Sequence, residues 1–385
     1  MSETAQLHEE GLEQTLQALD YVTSKSAQGE DPKNHLHKPA DHNTSHSWLS
    51  SWLPSWSYIE SMEASYHLGN WVRDRHTDEK AWEVMSVYVR LGMHLLYYGT
   101  CQEMLLGTKR VLEMLREQSV KMGRQYDDPS SKAHIQPFID SFGLQNALSE
   151  LVEPDPTKYA TFNDFFARRL KDDARPIDEP NQTTVTSSPA DCRLTAFTTI
   201  EVATKFWVKG ANFTMERLFQ DQDLAKSFDG GSMVIARLAP QDYHRWHSPV
   251  SGTVKSVKEI PGTYYTVNPQ AINESGTINV YCENRRSIMV VEIEAGSSVA
   301  IVAVGAMLVG SIKYFDGVEK PGAQIQRGQC LGGFYYGGST VLVFYQKGDL
   351  ELDEDLVKWS THPDGPCETY MKVGWRIGAK QNPTS

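Results

Sequence analysis

Three short stretches hold the side chains best suited to nucleophilic and proton-transfer chemistry. In the first, Gly337-Gly338-Ser339-Thr340 places a serine in a glycine corner between two apolar, β-prone runs, residues 329–336 and 341–345. Glycine weakens a strand it interrupts and admits close backbone approach, so two in succession imply a local reason. The plain reading is a β-bulge beside an ordinary serine, and the G-x-S-x-G hydrolase pattern fails because Val341 stands where its last glycine belongs. The second stretch, residues 238–253, reads LAPQDYHRWHSPVSGT and carries His244 and His247. Histidine suits proton transfer near neutrality. Side chains three apart on a strand face opposite ways, so both reach one site only if the chain bends, and the adjoining prolines supply a bend. The third, Ser187-Ser188-Pro189-Ala190-Asp191-Cys192-Arg193, is a turn bearing one carboxylate. Taken singly, each histidine reads as a partner for a backbone carbonyl and Asp191 as a turn or capping residue. Taken together, an Asp, a His and a Ser in a glycine corner are the components of a nucleophile-activating triad.

These residues need a frame, and the sequence predicts an α+β chain. Apolar residues recur at helical spacing from Ala81 to Met122, and a further helix is expected over 135–151. Thr161 reads as the N-cap of a short Phe-rich helix, with Asp164 placed to suit the positive helix end. After Pro176 the pattern changes to short segments rich in Val, Ile, Thr, Tyr and Phe between Gly, Pro and Asn turns. Strands are expected over 232–238, 252–260, 277–282, 287–294, 298–304 and 311–315, giving a mostly antiparallel β domain. The organisation expected is a variable extension over 1–80, a helical region over 81–175 and a β-rich catalytic domain over 176–385.

Composition narrows the classes. The 385 residues, 40 % hydrophobic and 22 % charged, suit a soluble globular protein with a large core. A formal charge of −12 argues against nucleic acid as a partner and against general adhesion to anionic lipid. No apolar window is long enough to cross a membrane, and the acidic start resembles neither a secretory nor a mitochondrial signal. Five scattered cysteines without a C-x-x-C pair fit a reducing compartment, so a cytosolic location is expected. His35, His37, His42 and His46 match no metal-ligand spacing and read as a solvated linker; no metal is expected. Trp48, Trp52 and Trp56 share one helical face if that segment is helical, as a docking face or an interfacial membrane contact.

The three stretches, in this order, resemble the signatures of the phosphatidylserine decarboxylase family: SPADCR, LAPQDYHRWHSPVSGT and GGST. TFNDFFARRLKDDARP, PGTYYTVNP and VGAMLVGSI resemble further family segments, so that the likeness runs from about Val87 to the C-terminus and is nearest to the fungal-type branch. The resemblance implies self-cleavage between Gly338 and Ser339. It makes Ser339 the nucleophile, His247 its base, Asp191 the residue orienting that base, and His244 the acid that later protonates the substrate carbanion. It also implies that Ser339 becomes a pyruvoyl group, a covalent cofactor whose ketone accepts the electrons released as CO2 leaves. Residues 339–385 would then form a separate piece. The implied substrate is phosphatidylserine, converted to phosphatidylethanolamine, with Trp48, Trp52, Trp56 and the Arg168–Lys171 cluster as candidates for peripheral membrane contact. A soluble decarboxylase of a free aromatic amino acid such as tryptophan is the alternative. A carrier domain lacks its modifiable lysine here, and a serine hydrolase without self-cleavage would stay one chain.

Overall fold

The computed structural model describes residues 69–84, 120, 123–206, 208, 213–264, 279–293, 296–306, 311–335, 339–363 and 366–380. The histidines at 35–46, the tryptophans at 48–56, most of the run 81–122, and Gly337 and Gly338 lie outside the described residues.

The fold is α+β and is organised by a ten-stranded sheet. Its strands run, from edge to edge, Gln324–Ile325, Gly252–Ile260, Arg286–Glu292, Ser298–Val304, Ser339–Tyr345, Met233–Leu238, Cys192–Phe197, Glu368–Met371, Gly69–Asp74 and Lys80–Val84. Neighbours pair antiparallel except Gly69–Asp74 against Glu368–Met371. Two three-stranded sheets complete the β structure: Ser311–Tyr314, Cys330–Tyr335 and Arg245–His247 in one, and Glu351–Leu352, Arg376–Ala379 and Val185–Ser187 in the other.

The central strands are buried on both faces, which explains their continuous apolar composition. Met233, Ile235, Leu342 and Phe344 pack with the helices Ile200–Phe206, Met215–Phe219 and Val280–Glu283 on one side. Val234, Ala236, Leu238, Val341 and Val343 pack on the other with Trp246, Leu331 and Phe334. A third cluster gathers Phe138, Phe162, Phe165 and Phe166 around Tyr243. Its helix, Phe162–Phe166, begins where the sequence predicts: the Thr161 side chain caps the Asp164 N–H at 3.1 Å.

Three expectations are corrected. The helical run expected from Ala81 opens instead as the strand Lys80–Val84, joined to Gly69–Asp74 by a turn in which Asp74 accepts the N–H groups of His76 and Thr77. The helix expected over 135–151 stops at Phe142, where Gly143 takes a left-handed conformation at φ +62°, and continues as the 3-10 turn Leu144–Glu150. In place of the end of the strand expected over 277–282 the chain forms the helix Val280–Glu283, and residues 277–278 lie outside the described residues. Asn279 caps it by accepting the Cys282 N–H at 3.2 Å, and this side-chain bond overrides the β-preference of Val280 and Tyr281.

Candidate active site

Ser339 heads a central strand of the large sheet. It lies opposite Leu238, and the two residues share a face with Val341. The strand that precedes it in the chain, Cys330–Tyr335, belongs to a different sheet and pairs with Arg245–His247. Tyr335 thus ends a strand of one sheet and Ser339 begins a strand of the other.

The segment after Leu238 folds back over this point. Ala239 to Asp242 form a tight turn closed by the Asp242 N–H on the Ala239 carbonyl at 2.9 Å. The Asp242 carboxylate returns the favour by accepting the Ala239 N–H at 2.7 Å, and it is ion-paired with Arg193. His244 follows, fully buried, with its own carbonyl accepting the Phe334 N–H at 2.8 Å. The turn thus delivers an imidazole onto the serine: His244 Nδ1 lies 3.3 Å from Ser339 Oγ.

The other ring nitrogen fixes the tautomer. His244 Nε2 lies 3.0 Å from the Ala239 carbonyl, which can only accept, so Nε2 carries the hydrogen and Nδ1 presents a lone pair to the serine hydroxyl. Phe166 stacks on the same ring, with centroids 3.9 Å apart and an interplanar angle of 27°. Burial pushes the His244 pKa down to about 3, and the nearby Arg168 guanidinium acts in the same direction. The ring is therefore neutral throughout the physiological range. Ser339, itself fully buried, has this imidazole as its side-chain partner. A buried hydroxyl facing a neutral imidazole is an arrangement that can generate an alkoxide-like nucleophile.

His247 occupies a different niche. Its Nδ1 is 2.7 Å from the Gly328 carbonyl and must donate, leaving Nε2 to accept the Tyr243 hydroxyl at 3.2 Å. The two histidines thus have opposite tautomers. Desolvation lowers the His247 pKa, partly opposed by the Gly328 carbonyl and by the charge of Asp191. Asp191 is gripped by Arg175 through Nε and Nη2 and accepts the Val373 N–H at 2.9 Å. Arg175 also reaches Glu150 at 2.8 Å.

Of the residues singled out in the sequence, the structure therefore brings Ser339 and His244 into contact. His247 and Asp191 lie in the surrounding frame, and among the described residues neither bonds to Ser339. The sequence reading passed over Asp242 and Phe166. The first was visible as the lone carboxylate in the dense stretch 238–253, the second only as one phenylalanine among several. Arg168, read as part of a surface cluster, is buried, and its Nη2 donates to the carbonyls of Gln241 and Asp242, each at 3.0 Å.

Residues 162–379 match the sequence profile of the family described as phosphatidylserine decarboxylase. The chain belongs to this family. It is 40 % identical over 336 residues to phosphatidylserine decarboxylase proenzyme 3 of Schizosaccharomyces pombe, covering 87 % of this chain and 34 % of that protein. It is 37 % identical over 343 residues to phosphatidylserine decarboxylase proenzyme 2 of Oryza sativa, covering 88 % and 53 %. With the phosphatidylserine decarboxylase proenzyme of Fusobacterium nucleatum the identity is 36 % over 260 residues, covering 68 % and 82 %. The chain thus spans about a third of the length of the fission-yeast relative and most of the bacterial one. The matched family segment contains every residue of the Ser339 site. Among the described residues no helix is long and apolar enough to cross a membrane, and no cluster of three or more His, Cys, Asp or Glu is placed to hold a metal.

Proposed function

We propose that this chain is the precursor of a pyruvoyl-dependent decarboxylase that converts phosphatidylserine to phosphatidylethanolamine and CO2, and that it matures by breaking its own backbone between Gly338 and Ser339. The observation that carries the reading is the contact of the buried Ser339 hydroxyl with the bare Nδ1 of a neutral imidazole. Nδ1 takes the hydroxyl proton as Oγ bonds to the Gly338 carbonyl carbon. The peptide C–N bond then breaks, the proton passes to the Ser339 nitrogen, and the amide has become an ester with a free amine. Burial of Ser339 withholds bulk water at this stage, which favours the internal shift over hydrolysis. Loss of the Ser339 α-proton with scission of the Cβ–Oγ bond releases the Gly338 carboxylate. Water then replaces the nitrogen, which leaves as ammonia, and residues 339–385 begin with a pyruvoyl group. When formed, that group supplies an electron sink for removal of a carboxylate from an amine-bearing substrate.

His244 is the proton acceptor of the first step on this reading, because it is the imidazole on the hydroxyl. Asp242 holds the turn that presents it, and Phe166 holds the plane of its ring. Asp191 and His247 support the neighbouring segment through Val373 and Gly328. The choice of a lipid substrate is supported by the relatives, which are phosphatidylserine decarboxylase proenzymes. A lipid substrate requires contact with a bilayer surface, for which Trp48, Trp52 and Trp56 are the candidates.

Denaturing gels of freshly made protein test the maturation, and activity on phosphatidylserine vesicles tests the substrate. The expected result is a wild type in two pieces, the smaller comprising residues 339–385, with Ser339→Ala and His244→Ala remaining single chains. His247→Ala is expected to be cleaved. Cleavage of His244→Ala together with an intact His247→Ala would return the role of base to His247. Cleaved wild-type protein that ignores the lipid and decarboxylates free tryptophan would overturn the substrate assignment.

A further inference from the structure

Arg168 sits two residues beyond the phenylalanine that stacks on His244, and its charge is felt at that imidazole. It is 94 % buried, and its guanidinium lies 5.2 Å over the ring of Phe165. Nη2 is saturated by the Gln241 and Asp242 carbonyls, which belong to the turn that delivers His244. Nη1 is also buried, yet no acceptor reaches it among the described residues. Other arginines are differently served: the buried Arg286 and Arg327 have acceptors on both terminal nitrogens, and three more have carboxylates. Arg175 is paired with Asp191 and Glu150, Arg193 with Asp242, and Arg237 with Glu368. Arg168 has no such carboxylate partner among the described residues, and burial lowers its pKa.

A buried guanidinium with one unmet arm is unfavourable unless an anion completes it. Guanidinium N–H groups are well matched to carboxylate oxygens. The geometry points to Arg168 as the residue that receives the carboxylate the substrate is about to lose, through the Nη1 N–H groups that the fold leaves without an acceptor. This rests on the decarboxylase reading given above and extends it to the recognition of the leaving group.

The chemistry sets a signature. The carboxylate is fully charged in the bound substrate and loses that charge as it becomes CO2. An Arg168–carboxylate bond is therefore strongest before the C–C bond breaks, and it holds substrate without accelerating the breakage. Its loss belongs in KM, with kcat kept or slightly raised. Arg168 also bears on the turn carrying His244, and a purely structural role would instead depress self-cleavage and kcat.

The test uses wild type, Arg168→Gln and Arg168→Lys, each scored on a denaturing gel for self-cleavage and then assayed on short-chain phosphatidylserine below its micelle concentration. The matching short-chain phosphatidylethanolamine, which keeps the phosphate and lacks the carboxylate, serves as a competitive inhibitor. The expected result is that both variants cleave and that Arg168→Gln raises KM about ten- to hundredfold with kcat within about twofold. Arg168→Lys should show a smaller rise, and inhibition by phosphatidylethanolamine should not change. An unchanged KM overturns the inference. So does an equal weakening of phosphatidylserine and phosphatidylethanolamine, which would assign Nη1 to the phosphate. If Arg168→Gln stays a single chain, the lysine variant decides by the same KM criterion. Wild-type protein inactive on phosphatidylserine would remove the functional reading itself, before any variant is compared.

Discussion

Acid should spare the self-cleavage of this chain where it would stop that of a chain using an ordinary histidine. A histidine with its usual pKa of 6.5 is about 97 % protonated at pH 5, so a reaction needing its lone pair runs about thirtyfold below its neutral rate. His244 is pushed to about 3 by burial, with the Arg168 charge adding to it, and at pH 5 is protonated to about 1 %. The rate at pH 5 should therefore lie within about twofold of that at pH 7.5. Stability moves separately. The folded state has the lower pKa, so the unfolded chain binds more protons between pH 3 and 6.5. The stability of the neutral buried ring is fully present above pH 6.5 and is withdrawn as pH falls toward 3, up to about 5 kcal/mol at the low end. His247, shifted the same way, adds to that loss. The assay is cell-free synthesis of the precursor, transfer into buffers from pH 4.5 to 8, and quantification of the two pieces, with tryptophan fluorescence reporting the fold. A cleavage rate that halves near pH 6.5 while fluorescence stays native would refute the reasoning, because it would mean that the base is a normally titrating group.

Other perturbations probe the support of the site. Phe166→Ala empties a fully buried position and removes the ring stacked on His244; in a Ser339→Ala background it should cost about 3–5 kcal/mol by denaturant titration, and alone it should slow cleavage. Phe166→Leu keeps most of the volume and should cost under about 1.5 kcal/mol. Asp242→Asn leaves Arg193 buried without its counter-charge and should cost about 3–5 kcal/mol, with slower cleavage, whereas replacing both by apolar residues should recover much of the stability by the same titration. Gly332→Ala would drive its Cβ into the Trp246 ring and the Lys313 carbonyl, neither able to yield. It should cost about 1–3 kcal/mol and displace the strand that leads into the glycine corner, seen as a lower melting temperature and delayed cleavage.

Much of the frame was legible because the central strands are buried on both faces. Ser298–Val304, buried from Val299 onward, falls at the bounds expected from its Val, Ile and Ala content, and Gly252–Ile260, much of it exposed, falls at those set by the Gly and Pro turns beside it. Val280–Glu283 was not legible, since one Asn279 cap overrode a β-prone composition, and the strand Lys80–Val84 is held by its hairpin partner Gly69–Asp74, which itself joins the sheet through the distant Glu368–Met371. At the site, Ser339 and the two histidines stood out by type and spacing. Which histidine meets the serine depends on the direction in which the Ala239–Asp242 turn folds back, and that is decided by Asp242 and Arg193 across the sheet. The burial of Arg168 was hidden for the same reason: its sequence neighbours Arg169 and Lys171 are surface residues, and only tertiary packing separates it from them.

A new chain end created at residue 339 would be unusual among termini. Ends ordinarily fray, yet Thr340, one residue in, is paired on one side with Arg237 and on the other with Val304, and the following residues continue both ladders to Phe344. The last 47 residues also contribute Glu368–Met371 to the same sheet and Arg376–Ala379 to another, so scission at that point would sever a covalent link without loosening the architecture. The freed tip would be held as rigidly as a mid-strand residue, and the two fragments should travel together through any native separation, parting only when the sheet itself is dissolved.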